Sequence, residues 1–106
     1  MVHVQELNDP AVKTFVQAVN AGDRAAFFDA LTENATMSDD GTDRDLREWT
    51  DREIFTTRGH MTIESQSDDG RSMIVQYSNS TWGAMRTAWK FFVTDGKISR
   101  FETGQA

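Results

Sequence analysis

Two adjacent carboxylates, Asp39 and Asp40, stand in the stretch "ATMSDDGTDRDLREW" from Ala35 to Trp49. A carboxylate walled by aromatic rings and shielded from water can act as a general base, taking a proton α to a carbonyl. The reaction also needs a hydrogen-bond donor for the oxygen that becomes an enolate. In extended backbone, neighbouring side chains point to opposite faces, so only one of the two acids can enter a pocket. Alternation puts Asp39 on the face of Met37 and Asp40 on that of Ser38. Met37 is the residue expected inside, and Asp39 goes with it. The same residues also read as plain scaffolding. "DDGT" (Asp39–Thr42) is turn chemistry, and Thr42 or Asp43 can cap a following helix.

The donors and walls for such a base are few. Trp49, Trp89 and Tyr77 supply two indole N–H groups and one hydroxyl. An indole donates but cannot exchange its proton, so it polarises a carbonyl rather than shuttling protons. Each of these rings serves equally as core, where its polar atom needs a partner. Trp82, beside Gly83, fits a pocket rim or a dimer contact. Phe15, Met37 and Phe91 complete the set expected to line a ligand pocket.

Other chemistries lack their residues. The chain contains no Cys, which removes thiol nucleophiles, disulfides and thiolate metal sites. His3 and His60 are far apart without ligand-spaced partners, so no metal site is expected. No nucleotide- or phosphate-binding motif occurs, and no cofactor is expected. The formal charge is −6 and the pI about 4.7, with no basic stripe, which disfavours nucleic acid. No apolar run approaches a membrane span, and "MVHVQELNDP" lacks the features of a signal peptide. We read a cytoplasmic protein in which the sequons at Asn34 and Asn79 are chance matches.

The chain of 106 residues makes one domain, residues 1–106. Asp9–Pro10 starts a helix whose apolar face is Val12, Phe15, Val16 and Val19; Gly22 ends it. Asp23 caps a shorter helix bearing Phe27, Phe28 and Leu31. Ala35–Ser38 reads as a short strand, and a third helix is predicted from about Asp43 to Phe55. From His60 the period changes to two. Strands are predicted over His60–Gln66, Ser72–Trp82, Met85–Val93 and Ile98–Gly104, joined by turns at "SDDGR" and "TDGK". Helices followed by an antiparallel meander define an α+β fold. In the third strand Met85, Thr87, Trp89, Phe91 and Val93 share the helix-facing side. Arg86, Ala88, Lys90 and Phe92 share the other, a mixed face suited to a homodimer contact. By parity no arginine falls inward.

The order of elements, with "VNAGDRAAFFDALTENATMSDDG", "LREW" and "WKFFVTDGKISRFETGQ", resembles the nuclear transport factor 2-like superfamily. It looks nearest to the SnoaL-like and ketosteroid isomerase-like branch, over Asp9 to Gln105. The resemblance implies three N-terminal helices packed on a strongly curved antiparallel sheet, a cystatin-like roll enclosing a conical pocket. Members often dimerise through the outer sheet face. Some isomerise, cyclise or dehydrate apolar carbonyl compounds, whereas others only bind. The position of the branch's general base matches Asp39. Its tyrosine donor matches Phe15, and its protonated aspartic acid matches Trp89, so both oxyanion donors are replaced by rings. An epoxide-hydrolase-like Asp–Arg–Asp cluster is set aside for want of an inward arginine. The reading is therefore a small-molecule pocket protein with Asp39 as candidate base. The alternative is a non-catalytic dimeric ligand-binding or protein-interaction domain.

Overall fold

The computed structural model describes residues 1–106. Asp9 and Pro10 open helix α1 (Pro10–Ala21). Pro lacks an N–H where the helix needs none. Asp9 Oδ1 accepts from the Ala11 and Val12 N–H groups at 2.9 and 3.1 Å. Gly22 closes the helix at φ 66°, a left-handed conformation that a residue without Cβ adopts freely. Asp23 then caps α2 (Arg24–Asp29) by accepting from the Ala26 N–H at 3.0 Å.

Strand β1 (Leu31–Asp39) begins earlier than the Ala35–Ser38 segment expected. Its middle is polar and exposed, and its register slips between Leu31 and Thr36, which hides the alternation. A larger correction concerns "DDGT". Asp40 and Gly41 have φ of 49° and 83°, the two positive values of a type I′ hairpin loop. The chain therefore turns back as β2 (Thr42–Arg44), with Asp39 opposite Thr42 and Met37 opposite Arg44. Neither Thr42 nor Asp43 caps a helix. Helix α3 is Leu46–Thr50, and Asp45 caps it by accepting from the Glu48 N–H at 2.9 Å. A π-helical turn, Asp51–Phe55, continues α3 and carries the bond from the Thr56 N–H to the Asp51 carbonyl.

Strands β3 (His60–Gln66), β4 (Ser72–Asn79), β5 (Gly83–Thr94) and β6 (Lys97–Gln105) form the antiparallel meander. The sheet order is β2-β1-β6-β5-β4-β3, and β1 runs parallel to β6. The whole meander separates that pair, so no tight turn forces it antiparallel. The sheet is mixed and open, with β2 and β3 as its edges. At the β3 edge the Asn20 side chain brackets Met61, accepting from its N–H at 2.7 Å and donating to its carbonyl at 3.0 Å. No helix is long and apolar enough to cross a membrane.

The parity of the strands places Met73, Val75, Tyr77, Thr87, Trp89 and Phe91 on the buried face. The Phe15 ring sits at the centre of the core. Its centroid lies 4.7 Å from that of Phe27, 5.0 Å from Phe91, 5.2 Å from Phe101 and 6.1 Å from Trp89.

Candidate functional site

The rings do not fill the cone to its mouth. A cavity of about 370 Å³ remains between the C-terminal ends of β1, β4 and β6, the start of β5, and the α3–π segment. That volume falls in the range of small-molecule sites. Asp39, Trp49, Tyr77 and Trp89 line it. Phe15, Met37 and Phe91 do not. They are 0, 0 and 2% exposed and form the packed base beneath, where Phe91 stacks near Trp89 at 6.2 Å. The deep part of the cone is thus closed by side chains.

The side chains of Asp39, Trp49, Tyr77, Thr87 and Trp89 are each held by a neighbour. The Trp49 indole donates to Asp39 Oδ2 at 3.0 Å, and no cation pairs with that carboxylate. The Trp89 indole donates to Thr87 Oγ1 at 2.8 Å, and the Thr87 hydroxyl in turn donates to the Val75 carbonyl at 3.1 Å. The Tyr77 hydroxyl donates to the Glu53 carbonyl at 2.7 Å. The π turn leaves that carbonyl without a backbone donor, and Asn79 Nδ2 and Thr57 Oγ1 join Tyr77 in serving it at 3.2 and 2.8 Å. Burial pushes the Tyr77 hydroxyl well above an ordinary tyrosine, and the nearby Glu53 charge adds to this. It stays protonated and remains a donor. Gly59 makes room for it: a Cβ there would overlap the hydroxyl and lie 2.8 Å from the ring carbon bearing it.

The rim is charged. Glu53 accepts from Arg52 Nε at 3.0 Å and from the Trp82 indole at 3.3 Å. Trp82 itself is 63% exposed in the β4–β5 turn, whose N–H groups at Thr81 and Trp82 bond to Asn79 Oδ1. Asp40 Oδ1 accepts from the Gln105 N–H at 2.9 Å. Arg44 lines the cavity with no ion-pair or hydrogen-bond partner. It faces Met37 across the hairpin, and cross-strand partners share a face, so its side chain starts from the inward face, with the residue exposed at the rim. This corrects the expectation that no arginine points inward. An Asp–Arg–Asp cluster is not formed, because Arg44 bonds to neither Asp39 nor Asp40, and Asp40 Oδ1 is bound to the β6 backbone. No group of three His, Asp or Glu side chains gathers to hold a metal ion.

Sequence reasoning missed Arg44, Arg52, Glu53 and Thr87. For Arg44 a signal existed: "DG" at Asp40–Gly41 is a two-residue hairpin signature, and pairing back from it sets Arg44 opposite Met37. No local pattern announces the π turn that brings Glu53 to the rim.

No protein-family model matches this sequence, and no curated protein does. Solved structures resemble it throughout. A proposed polyketide cyclase of Sinorhizobium meliloti superposes with a TM-score of 0.77 at 18% identity, over 96% of this chain and 99% of that one. A nuclear transport factor 2-like protein of unknown function from Cytophaga hutchinsonii gives 0.70 at 15% identity, over 97% and 89%. A proposed ketosteroid isomerase of Kribbella flavida gives 0.73 at 16% identity, over 95% and 78%. At these identities the likeness is one of architecture. Three helices laid against an open, curved six-stranded sheet give this chain the nuclear transport factor 2-like fold.

Proposed function

We propose that the cavity binds an apolar carbonyl compound and that Asp39 is the general base of an isomerase-, cyclase- or dehydratase-like proton transfer requiring no cofactor. One observation carries this reading. The Trp49 indole fixes Asp39 Oδ2, and no cation competes for the carboxylate, at the edge of a cavity walled by Trp49, Tyr77 and Trp89. The carboxylate would take the proton from the carbon α to the carbonyl. The C–H electron pair would form the enolate C=C bond as the carbonyl π pair moves onto oxygen, and the protonated acid would return the proton elsewhere on the substrate. The fold shared with a proposed cyclase and a proposed isomerase supports the same chemistry. The test is α-deuteration of 2-tetralone in D₂O, followed by NMR. Acceleration by the wild-type protein and its loss in Asp39→Asn are expected. Exchange no faster than with an equal concentration of acetate would remove the catalytic reading.

The second reading, a dimeric binding domain without catalysis, has one observation in its favour. The Trp49, Trp89 and Tyr77 donors are all committed within the protein, so none points free at an enolate. Both readings include a homodimer through the outer sheet face, where Phe92 is 39% exposed and shares the face with half-buried Ile74 and Ala88. Sedimentation of wild type against Phe92→Lys tests it: a dimer that the variant dissociates is expected, and a wild-type monomer would end the proposal.

A further inference from the structure

The donor inventory of the cavity is uneven. Its indoles and its tyrosine are internally bonded, and the Asn79 amide serves the Glu53 carbonyl. Arg52 is held by Glu48 and Glu53. Arg44 alone among the charged donors of the cavity has no partner. Arg44 is exposed at the rim, in a chain with 17 acidic and 11 basic residues. The nearest carboxylates along the chain each accept a hydrogen bond from another group. Asp40 accepts from the Gln105 backbone, Asp43 is paired with Arg100 at 2.7 Å, Asp45 caps α3, and Asp39 holds the Trp49 indole. The hairpin register explains the placement. Asp39 pairs with Thr42, and Arg44 lies two residues on, so Arg44 is the diagonal neighbour of Asp39 on the inward face. Diagonal Cβ atoms lie roughly 7 Å apart, within reach of a long side chain.

A guanidinium presents paired N–H groups in a plane that matches a carboxylate. Resting on the cavity reading above, we propose that Arg44 recognises a carboxylate on the ligand, so that an apolar keto acid is preferred over a neutral ketone. The ring system lies against Trp49, Tyr77 and Trp89, the carboxylate meets Arg44 at the rim, and the carbonyl falls between them beside Asp39. A cavity whose uncommitted charged donor is cationic selects an oxyanion over a neutral oxygen.

The probes are 2-naphthoate and 2-naphthamide, which share a ring system and differ in charge. Binding is read from the NMR shift of the Trp49 indole N–H on titration. Wild-type protein is expected to bind the acid roughly tenfold more tightly than the amide, as a charge-assisted contact implies. Arg44→Gln abolishes that preference while leaving the amide unchanged, and Arg44→Lys restores part of it. Arg58→Gln, an exposed arginine outside the cavity, controls for net charge and keeps the preference. Equal wild-type affinities, or a preference that survives Arg44→Gln, would overturn the role of Arg44 and leave the cavity reading standing. Absence of any Trp49 shift with either probe would overturn both.

Discussion

Phe15 and Asp39 face the inside of the same cone, yet their surroundings differ in kind. Phe15 meets Phe27, Phe91, Phe101 and Trp89 and no solvent. Asp39 meets one indole and an open cavity. The two levels divide at Trp89, whose ring packs downward on Phe91 and Phe101 and whose N–H is tied sideways to Thr87. The comparison shows how a cavity's depth and its chemistry are set together. Rings at Phe15 and Trp89 exclude water and ligand from the lower cone, so polar function is confined to the mouth. There the β1–β2 hairpin and one π turn supply the charged side chains.

Opening the packed floor of the cone should have the largest effect on stability. Phe15→Ala deletes a fully buried ring from an aromatic cluster, and a cost of about 3–5 kcal/mol is expected in urea denaturation. The space released adjoins Trp89, so the variant should also admit a longer ligand if it folds. A cost below about 1 kcal/mol would mean that the lower cone is less tightly packed than the ring distances imply.

The wall between the levels gives the next largest effect. Gly59→Ala places a methyl group on the Tyr77 hydroxyl, and overpacking of this kind costs about 1–3 kcal/mol. Tyr77→Phe removes the atom that is struck. The double variant should therefore lose less than the sum of the two single ones, a coupling read directly from a double-mutant cycle. Additive losses would place the strain elsewhere than at the hydroxyl.

Tyr77→Phe alone should cost about 1 kcal/mol, because Asn79 and Thr57 still satisfy the Glu53 carbonyl. The same hydroxyl gives a pH dependence. Burial raises its pKa in the folded state, whereas in the unfolded chain it titrates near about 10. Below that value both states hold the proton and stability is unaffected. As the pH rises past it, only the unfolded chain ionises, so stability falls. Tyr77 is the chain's one tyrosine, so phenolate absorbance reports it alone and should appear together with loss of structure. Absorbance rising at an ordinary tyrosine's pH in the folded protein would contradict its burial.

The lower level was legible in the sequence and the upper level was not, for a physical reason. Apolar periodicity marks what is buried, and it located α1 with Phe15 and the inward parity of β5. It cannot mark a rim, where residues are polar on both sides and geometry comes from turns. The type I′ loop at Asp40–Gly41 moved Arg44 from an expected helix to a strand. Its "DG" signature was present but was read only as a turn before a helix. The π turn at Asp51–Phe55 carries no pattern distinct from an α-helix, so the positions of Glu53 and Arg52 came only with the fold. The parallel pairing of β1 with β6 is set by contacts across the whole chain and leaves no local trace.

Asp39→Asn should have the smallest effect on stability and bears most directly on the two levels. An amide oxygen can accept from the Trp49 indole as the carboxylate does, so the bond of 3.0 Å survives. The position is half-buried and holds no cation, so no partner is stranded. Stability should change by less than about 0.5 kcal/mol in urea denaturation, while α-deuteration of 2-tetralone should vanish. Trp49→Phe supplies the complement. It keeps the carboxylate and the ring wall but frees Oδ2, so exchange should weaken without vanishing. If instead Asp39→Asn destabilises the fold by several kcal/mol, the carboxylate belongs with Phe15 as part of the packing, and the boundary between the two levels lies above Asp39 rather than at Trp89.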